Sequence, residues 1–172
     1  PERAEGDGRG SVLDLLKIPA MWAILPMMFV AYAPSAALRG LWAGPYLTDV
    51  FSLTTAQVGQ ATLVMGVAMI CGTLAYGPLD RVFRTRKWVI FFGNLMALLA
   101  IGALWAWPDG GIALSVTLLA LAGFFGASFP MIVAHGRSFI PDHLAGRGVT
   151  MLNLFAIGGA GAAQFATGPL WL

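Results

Sequence analysis

The sequence predicts an all-α integral membrane protein, a bundle of about five transmembrane helices, and three observations predict it. Only 10% of its residues are charged against 58% hydrophobic, where a soluble domain carries about 25% charged residues. Five apolar stretches each reach the roughly 20 residues that a spanning helix needs. The basic residues gather in alternate connections, the pattern that marks the cytoplasmic side of a membrane. With a mean hydropathy of +0.78, a soluble fold would lack the polar groups to cover its surface, so lipid is the expected solvent.

Residues 1–17 are polar and glycine-rich at first and read as a cytoplasmic linker. Within them Ser11 to Lys17 suits a short helix on the membrane surface. Residues 18–172 form the helical bundle, with spans at about 19–47, 56–78, 88–107, 111–134 and 148–170. Thr54 and Gln57 have the spacing of a capping box at the start of the second span. Pro108-Asp109-Gly110-Gly111 reads as a tight turn between the third and fourth. Pro141 interrupts the connection before the fifth, Pro130 predicts a kink in the fourth, and Gly44-Pro45 predicts a bend in the first.

Arg3, Arg9 and Lys17 precede the first span; Arg81, Arg84, Arg86 and Lys87 follow the second; Arg137 and Arg147 follow the fourth. The connections on the other side hold Asp49 and Asp109 and no basic residue. This asymmetry places the N-terminus of a multi-pass protein in the cytoplasm, and the cell inner membrane is its expected location. Trp22, Trp88, Trp105, Trp107 and Trp171 lie near span ends, as an aromatic belt requires. The chain starts at Pro1 and reads as a piece of a longer protein.

Several functions are excluded as expectations. A net charge of +2 gives no footing for nucleic acid. The one cysteine, Cys71, sits in an apolar run and reads as a small hydrophobe. His135, Ser138, Asp142 and His143 cluster in sequence but match no ligand or nucleophile spacing. The chain is therefore expected to be no enzyme and to need no metal or cofactor.

Arg39 is the basic residue out of place, because it lies inside the longest apolar stretch. Arg near the bilayer centre costs roughly 2.5–3.5 kcal/mol on insertion scales and usually faces a cavity. The other reading is that Arg39 snorkels to the outer headgroups. Two observations favour the cavity: Arg39 would otherwise be the lone outer basic residue, and the apolar pattern continues past it through Leu41, Trp42 and Leu47. Arg39, Trp42, Ala43 and Tyr46 stand at three- and four-residue steps and so share a face of a regular helix. A guanidinium beside aromatic rings suits an anionic or aromatic ligand. Asn153 and Gln164, eleven residues apart, share a stripe with Ile157 and Ala160. Their amides suit either a substrate or a neighbouring helix. Small residues such as Gly66, Gly72, Gly123, Gly126 and the run 158–163 serve close packing or, alternatively, sliding of helices.

Gly77-Pro78-Leu79-Asp80-Arg81-Val82-Phe83-Arg84-Thr85-Arg86-Lys87 carries the most specific signal. It resembles the cytoplasmic signature loop of the major facilitator superfamily, with Gly77, Asp80, Arg81, Arg86 and Lys87 in matching roles. It departs from the pattern in two ways. The Gly-to-Asp spacing is one residue short, and Phe83 or Arg84 stands where a second glycine is expected. Those departures fit the weaker copy of the loop, after the eighth helix. The resemblance implies a partial major-facilitator fold holding helices seven to eleven, with the N-terminal half of the same transporter as partner. It implies secondary active transport of a small solute by two halves rocking around a midplane site, with Asp80 and Arg81 making charge contacts that switch between states. The rival expectation is a non-transporting receptor, sensor or assembly scaffold on the same bundle. Membrane lipid and a small-molecule substrate are the expected partners, the substrate an organic or inorganic anion.

Overall fold

The computed structural model describes residues 11–168, with the side chain of Asp80 left aside. Residues 1–10, most of the expected linker, and Trp171 lie outside the described residues. Among the described residues 85% are helical. Five helical stretches, Met21–Phe51, Thr55–Phe83, Arg86–Ala106, Ile112–Arg137 and Asp142–Thr167, are long and apolar enough to cross a membrane. This fits a multi-pass membrane protein.

A short helix, α1 (Val12–Leu15), precedes the spans. Ser11 and Asp14 close a capping box around its first turn. Lys17 donates to Asp14 at 2.7 Å, and this bond holds the Asp14 carboxyl below its ordinary range and the Lys17 ammonium above its own. Leu15 is fully buried among Ile140 and Leu144, so α1 docks on the end of the bundle that carries the basic connections.

The first span is broken. Helix α2 (Met21–Ala31) gives way at Tyr32 to α3 (Ala33–Ala37), then to a wide π turn over Leu38–Trp42, then to α4 (Ala43–Phe51). Pro34 explains the first interruption, since its ring cannot follow a regular helical turn. Pro45 lacks the donor that would hold the preceding turn closed, and its ring crowds the carbonyl four residues back. The chain answers by widening the turn before it, with the Ala43 amide reaching back five residues to Leu38. The bend expected at Gly44-Pro45 therefore sits a turn earlier.

The second span, α5 (Thr55–Phe83), is unbroken over 29 residues. Its capping box forms as the sequence predicts: the Thr54 amide donates to Gln57 Oε1 at 2.9 Å, and the Gln57 amide to Thr54 Oγ1 at 3.4 Å. A two-residue connection leads to α6 (Arg86–Ala106). The segment 77–87, expected as a loop, is thus mostly helix. Helix α5 continues past Pro78, and the chain reverses only at Arg84 and Thr85.

The fourth span is α7 (Ile112–Gly126) followed by α8 (Phe129–Arg137). The break at Ala127 and Ser128 lies just before Pro130, at the expected kink. A 3-10 turn (Asp142–Leu144) leads into α9 (Ala145–Thr167). The connection before the fifth span is therefore shorter than the sequence suggests, because both flanking helices extend into it.

Two apolar clusters hold the bundle. One joins α1, α2, α8 and α9 at the basic end, through Leu15, Ile24, Met28, Ile132 and Leu152. The other joins α4, α5, α6 and α7 at the opposite end, through Leu47, Met65, Leu104 and Leu119. Several glycines make the packing possible. A Cβ on Gly72 would run into the backbone of Phe124, and one on Gly159 into the backbone of Phe29. Close backbone approach of this kind is how helices associate in lipid, where the hydrophobic effect offers no drive.

Candidate functional site

The breaks in the first and fourth spans face the same space. Tyr32, at the first break, and Phe129, at the second, lie with ring centroids 5.3 Å apart. Beside them is a cavity of about 440 Å³, closed on its third side by α5. Arg39 lines it, together with Tyr32, Gly66, Thr73, Phe129 and Pro130. Among the described residues no acidic side chain lines this cavity. Among the described residues Arg39 has no hydrogen bond or ion pair, and the one salt bridge there is Lys17–Asp14. Gly66 has no neighbour within reach of a Cβ, so its missing side chain leaves space beside Arg39.

The depth of Arg39 can be read against fixed markers. Tyr46 donates to the Pro108 carbonyl at 2.6 Å, which puts it level with the turn beside the exposed Trp107. Arg39 lies seven residues below Tyr46, about 10 Å inward along the helix. Trp22, also exposed, marks the other end of the span, about 26 Å from Arg39 by the same rise. Arg39 is thus well inside the apolar length of the span.

The expected shared face of Arg39, Trp42, Ala43 and Tyr46 is not what forms. Trp42 turns to α9, where its Nε1 donates to Thr167 Oγ1 at 3.1 Å. Ala43 is buried in the second cluster. Tyr46 binds Pro108 and pairs with Ser115 Oγ at 2.8 Å. The reason is the π turn: an extra residue per turn rotates everything after it out of register with Arg39. Tyr32, two α-turns before Arg39 and ahead of the widened segment, lines its cavity instead. The seven-residue spacing from Tyr32 was the available signal in the sequence. The contributions of α5 and α8 carry none.

Gln164 sits across the same segment from the cavity. Its Nε2 reaches the Ala36 carbonyl at 3.4 Å and touches the space above Gly40. Asn153 is half-buried on α9, about 16 Å along the helix from Gln164. The stripe between them is uneven, since Ile157 is exposed and Ala160 buried. Neither amide lines the Arg39 cavity. Asn94 accepts a bond from Ser128 Oγ at 3.3 Å and ties α6 to the break in the fourth span.

In the segment 77–87, Gly77, Arg81 and Lys87 are exposed. Arg86 donates through Nη1 to the Ala134 carbonyl of α8 at 3.4 Å. Arg84 has φ +50°, a left-handed conformation that glycine adopts most easily. The Asp80 side chain lies outside the described residues.

No family model, curated protein or solved structure matches this chain.

Proposed function

We propose that this chain is part of a secondary transporter for a small organic or inorganic anion, working by alternating access, and that Arg39 meets the anion. The observation that carries this reading is an unpaired guanidinium deep in a span, in a cavity where two broken helices meet. Broken helices around a midplane cavity are how transporters present backbone and charge to a solute. The N-terminal end of α8 adds a second positive feature on the same cavity, because a helix dipole is positive there. Arg39 has no internal counter-charge among the described residues, so an anionic ligand would supply one.

The major-facilitator resemblance extends the proposal. On that reading a second six-helix half, the N-terminal half of the same transporter, faces the open side of the cavity. The segment 77–87 lies in the cytoplasm of a bacterial-type inner membrane and biases the two states. Two features support it. Arg84, one of the two residues that stand where the signature glycine is expected, has a left-handed backbone of the kind glycine adopts most easily. Arg86 holds the far end of α8, whose near end lines the Arg39 cavity, so a shift at the turn reaches the cavity through one nine-residue helix. Labelling of single cysteines introduced at Arg84, Ser138 and Asp109 reads the orientation. Arg84 and Ser138 are expected to react from the cytoplasmic side and Asp109 from outside, and the reverse would overturn it.

The test of function is uptake by the full-length protein in liposomes, screened over small carboxylates and phosphate esters. Arg39→Ala should lower uptake of the transported anion at least ten-fold, with folded yield unchanged. Arg39→Lys should recover part of it, since Lys keeps the charge and loses the planar fork. The alanine variant should also be no less heat-stable, because it removes a charge from an apolar setting. If Lys substitutes fully and Ala retains uptake, Arg39 is a headgroup anchor and this reading fails.

A further inference from the structure

A second cavity has a different character. It runs between α5 and α6 at the basic end, with a volume of about 340 Å³. Leu79, Phe83, Trp88, Phe92 and Met96 line it, and Gly72 and Gly93 thin its floor. From Phe83 to Gly72 it follows α5 for about 16 Å. Among the described side chains, none that is ionisable belongs to its lining other than the inward Tyr76 hydroxyl, bonded to Phe125 O at 2.6 Å. Trp88 and Phe92 stack with centroids 5.9 Å apart and are both more than half exposed, so the slot opens sideways.

Its end carries more basic than acidic residues in sequence, Arg81, Arg84, Arg86 and Lys87 against Asp80. Phe83 and Thr85 line the slot, and Arg84 stands between them at the corner of the turn. Arg81, one turn back on α5, and Lys87, opening α6, are exposed beside it. An apolar slot parallel to two spanning helices, with basic residues and a Trp at its membrane-surface end, matches an amphiphile with a hydrocarbon tail and an anionic head. We propose that this slot is a site for an anionic phospholipid, with one acyl chain along Leu79, Trp88 and Phe92 and the phosphate at Arg81, Arg84 and Lys87. Exposed basic residues at a membrane surface favour anionic over zwitterionic lipid by about five-fold each. The slot adds what a bare basic patch lacks, a fixed seat for the chain.

The full chain, placed in bilayers of increasing brominated phosphatidylglycerol or brominated phosphatidylcholine, tests this through quenching of tryptophan fluorescence. The difference between wild type and Trp88→Phe isolates the signal of Trp88. The expected result is half-maximal quenching at a several-fold lower fraction of the brominated phosphatidylglycerol. The double variant Arg84→Gln, Lys87→Gln should bring the two curves together with helical content unchanged. If that variant does not fold, raising salt on the wild type should close the gap, because surface charge is screened. Coincident curves in wild type, or a gap that survives charge removal and salt, would overturn the proposal. So would weak quenching by both lipids, which would mean that protein covers the slot. Soluble glycerol phosphate that abolishes the gap at millimolar concentration would assign the basic end to a free phosphate instead.

Discussion

The first and second spans lie side by side and are built on opposite plans. Met21–Phe51 is interrupted twice and is 44% buried over its most apolar window, while Thr55–Phe83 runs straight and is 17% buried. The broken span is wedged between α9 and α7, where Pro34 and Pro45 can lose backbone bonds because packed neighbours and a cavity take over their role. The straight span offers lipid, or a partner, a long apolar face through Leu63, Val67, Ile70 and Leu74. There backbone groups must be met within the helix itself, and its one proline, Pro78, stands near the basic end, where the Leu74 carbonyl it leaves without a donor is close to the membrane surface. Irregular backbone thus collects where the bundle packs on it, while Arg39, the one unpaired intramembrane charge among the described residues, is exposed where that broken span meets the open face of α5 at Leu63, Val67 and Ile70.

The sharpest way to break this comparison lies within α5. Gly72 faces the backbone of Phe124, and Gly66, less than two turns away, faces open space beside Arg39. Gly72→Leu cannot be absorbed by a side chain moving aside, since the obstacle is backbone. It should cost about 1–3 kcal/mol or more, as overpacking does, and show as a lost folded fraction in detergent. Gly66→Leu should leave the melting temperature near wild type and fill the cavity, lowering uptake while sparing the fold. Equal destabilisation by both would mean that the α5 face near Arg39 is packed by protein, and that the sheltered and open faces do not differ as described.

The sequence carried the bundle because its signals are local. A run of apolar residues, a Thr54–Gln57 capping box and a proline at 130 act within one or two turns, and each appears where its chemistry puts it. The site was legible only in its anchor. Arg39 announces itself as a charge in an apolar run. Its neighbours depend on a π turn that no residue pattern specifies alone, so the expected face with Trp42 and Tyr46 dissolved and Tyr32 replaced them. Thr73, Gly66 and Phe129 come from other helices, and their approach follows from packing between distant parts of the chain. The helical extent of 77–83 was hidden for a related reason: charged residues and Pro78 read as a connection, yet α5 continues through Pro78, losing only the bond that its missing amide would make.

The smallest expected effect lies at the junction of the straight span with the next. Arg84 reverses the chain with φ +50°, and Ser52 does the same after the first span with φ +52°. A side chain in this region carries strain of about 1–2 kcal/mol, which glycine does not. Against that, glycine gives the unfolded chain more freedom, which takes back roughly 0.5–1 kcal/mol. Arg84→Gly should therefore change stability little and in the favourable direction, by about 0.5 kcal/mol. A rise of a degree or two in the melting temperature of the full chain would register it. Arg84→Val should do the opposite and cost more than the glycine change gains, because a β-branched residue fits this region worst. The pair separates backbone from charge, since both variants remove the same guanidinium. If glycine and valine lower stability equally, the role of Arg84 lies in its charge, and the left-handed turn does not set the geometry between α5 and α6.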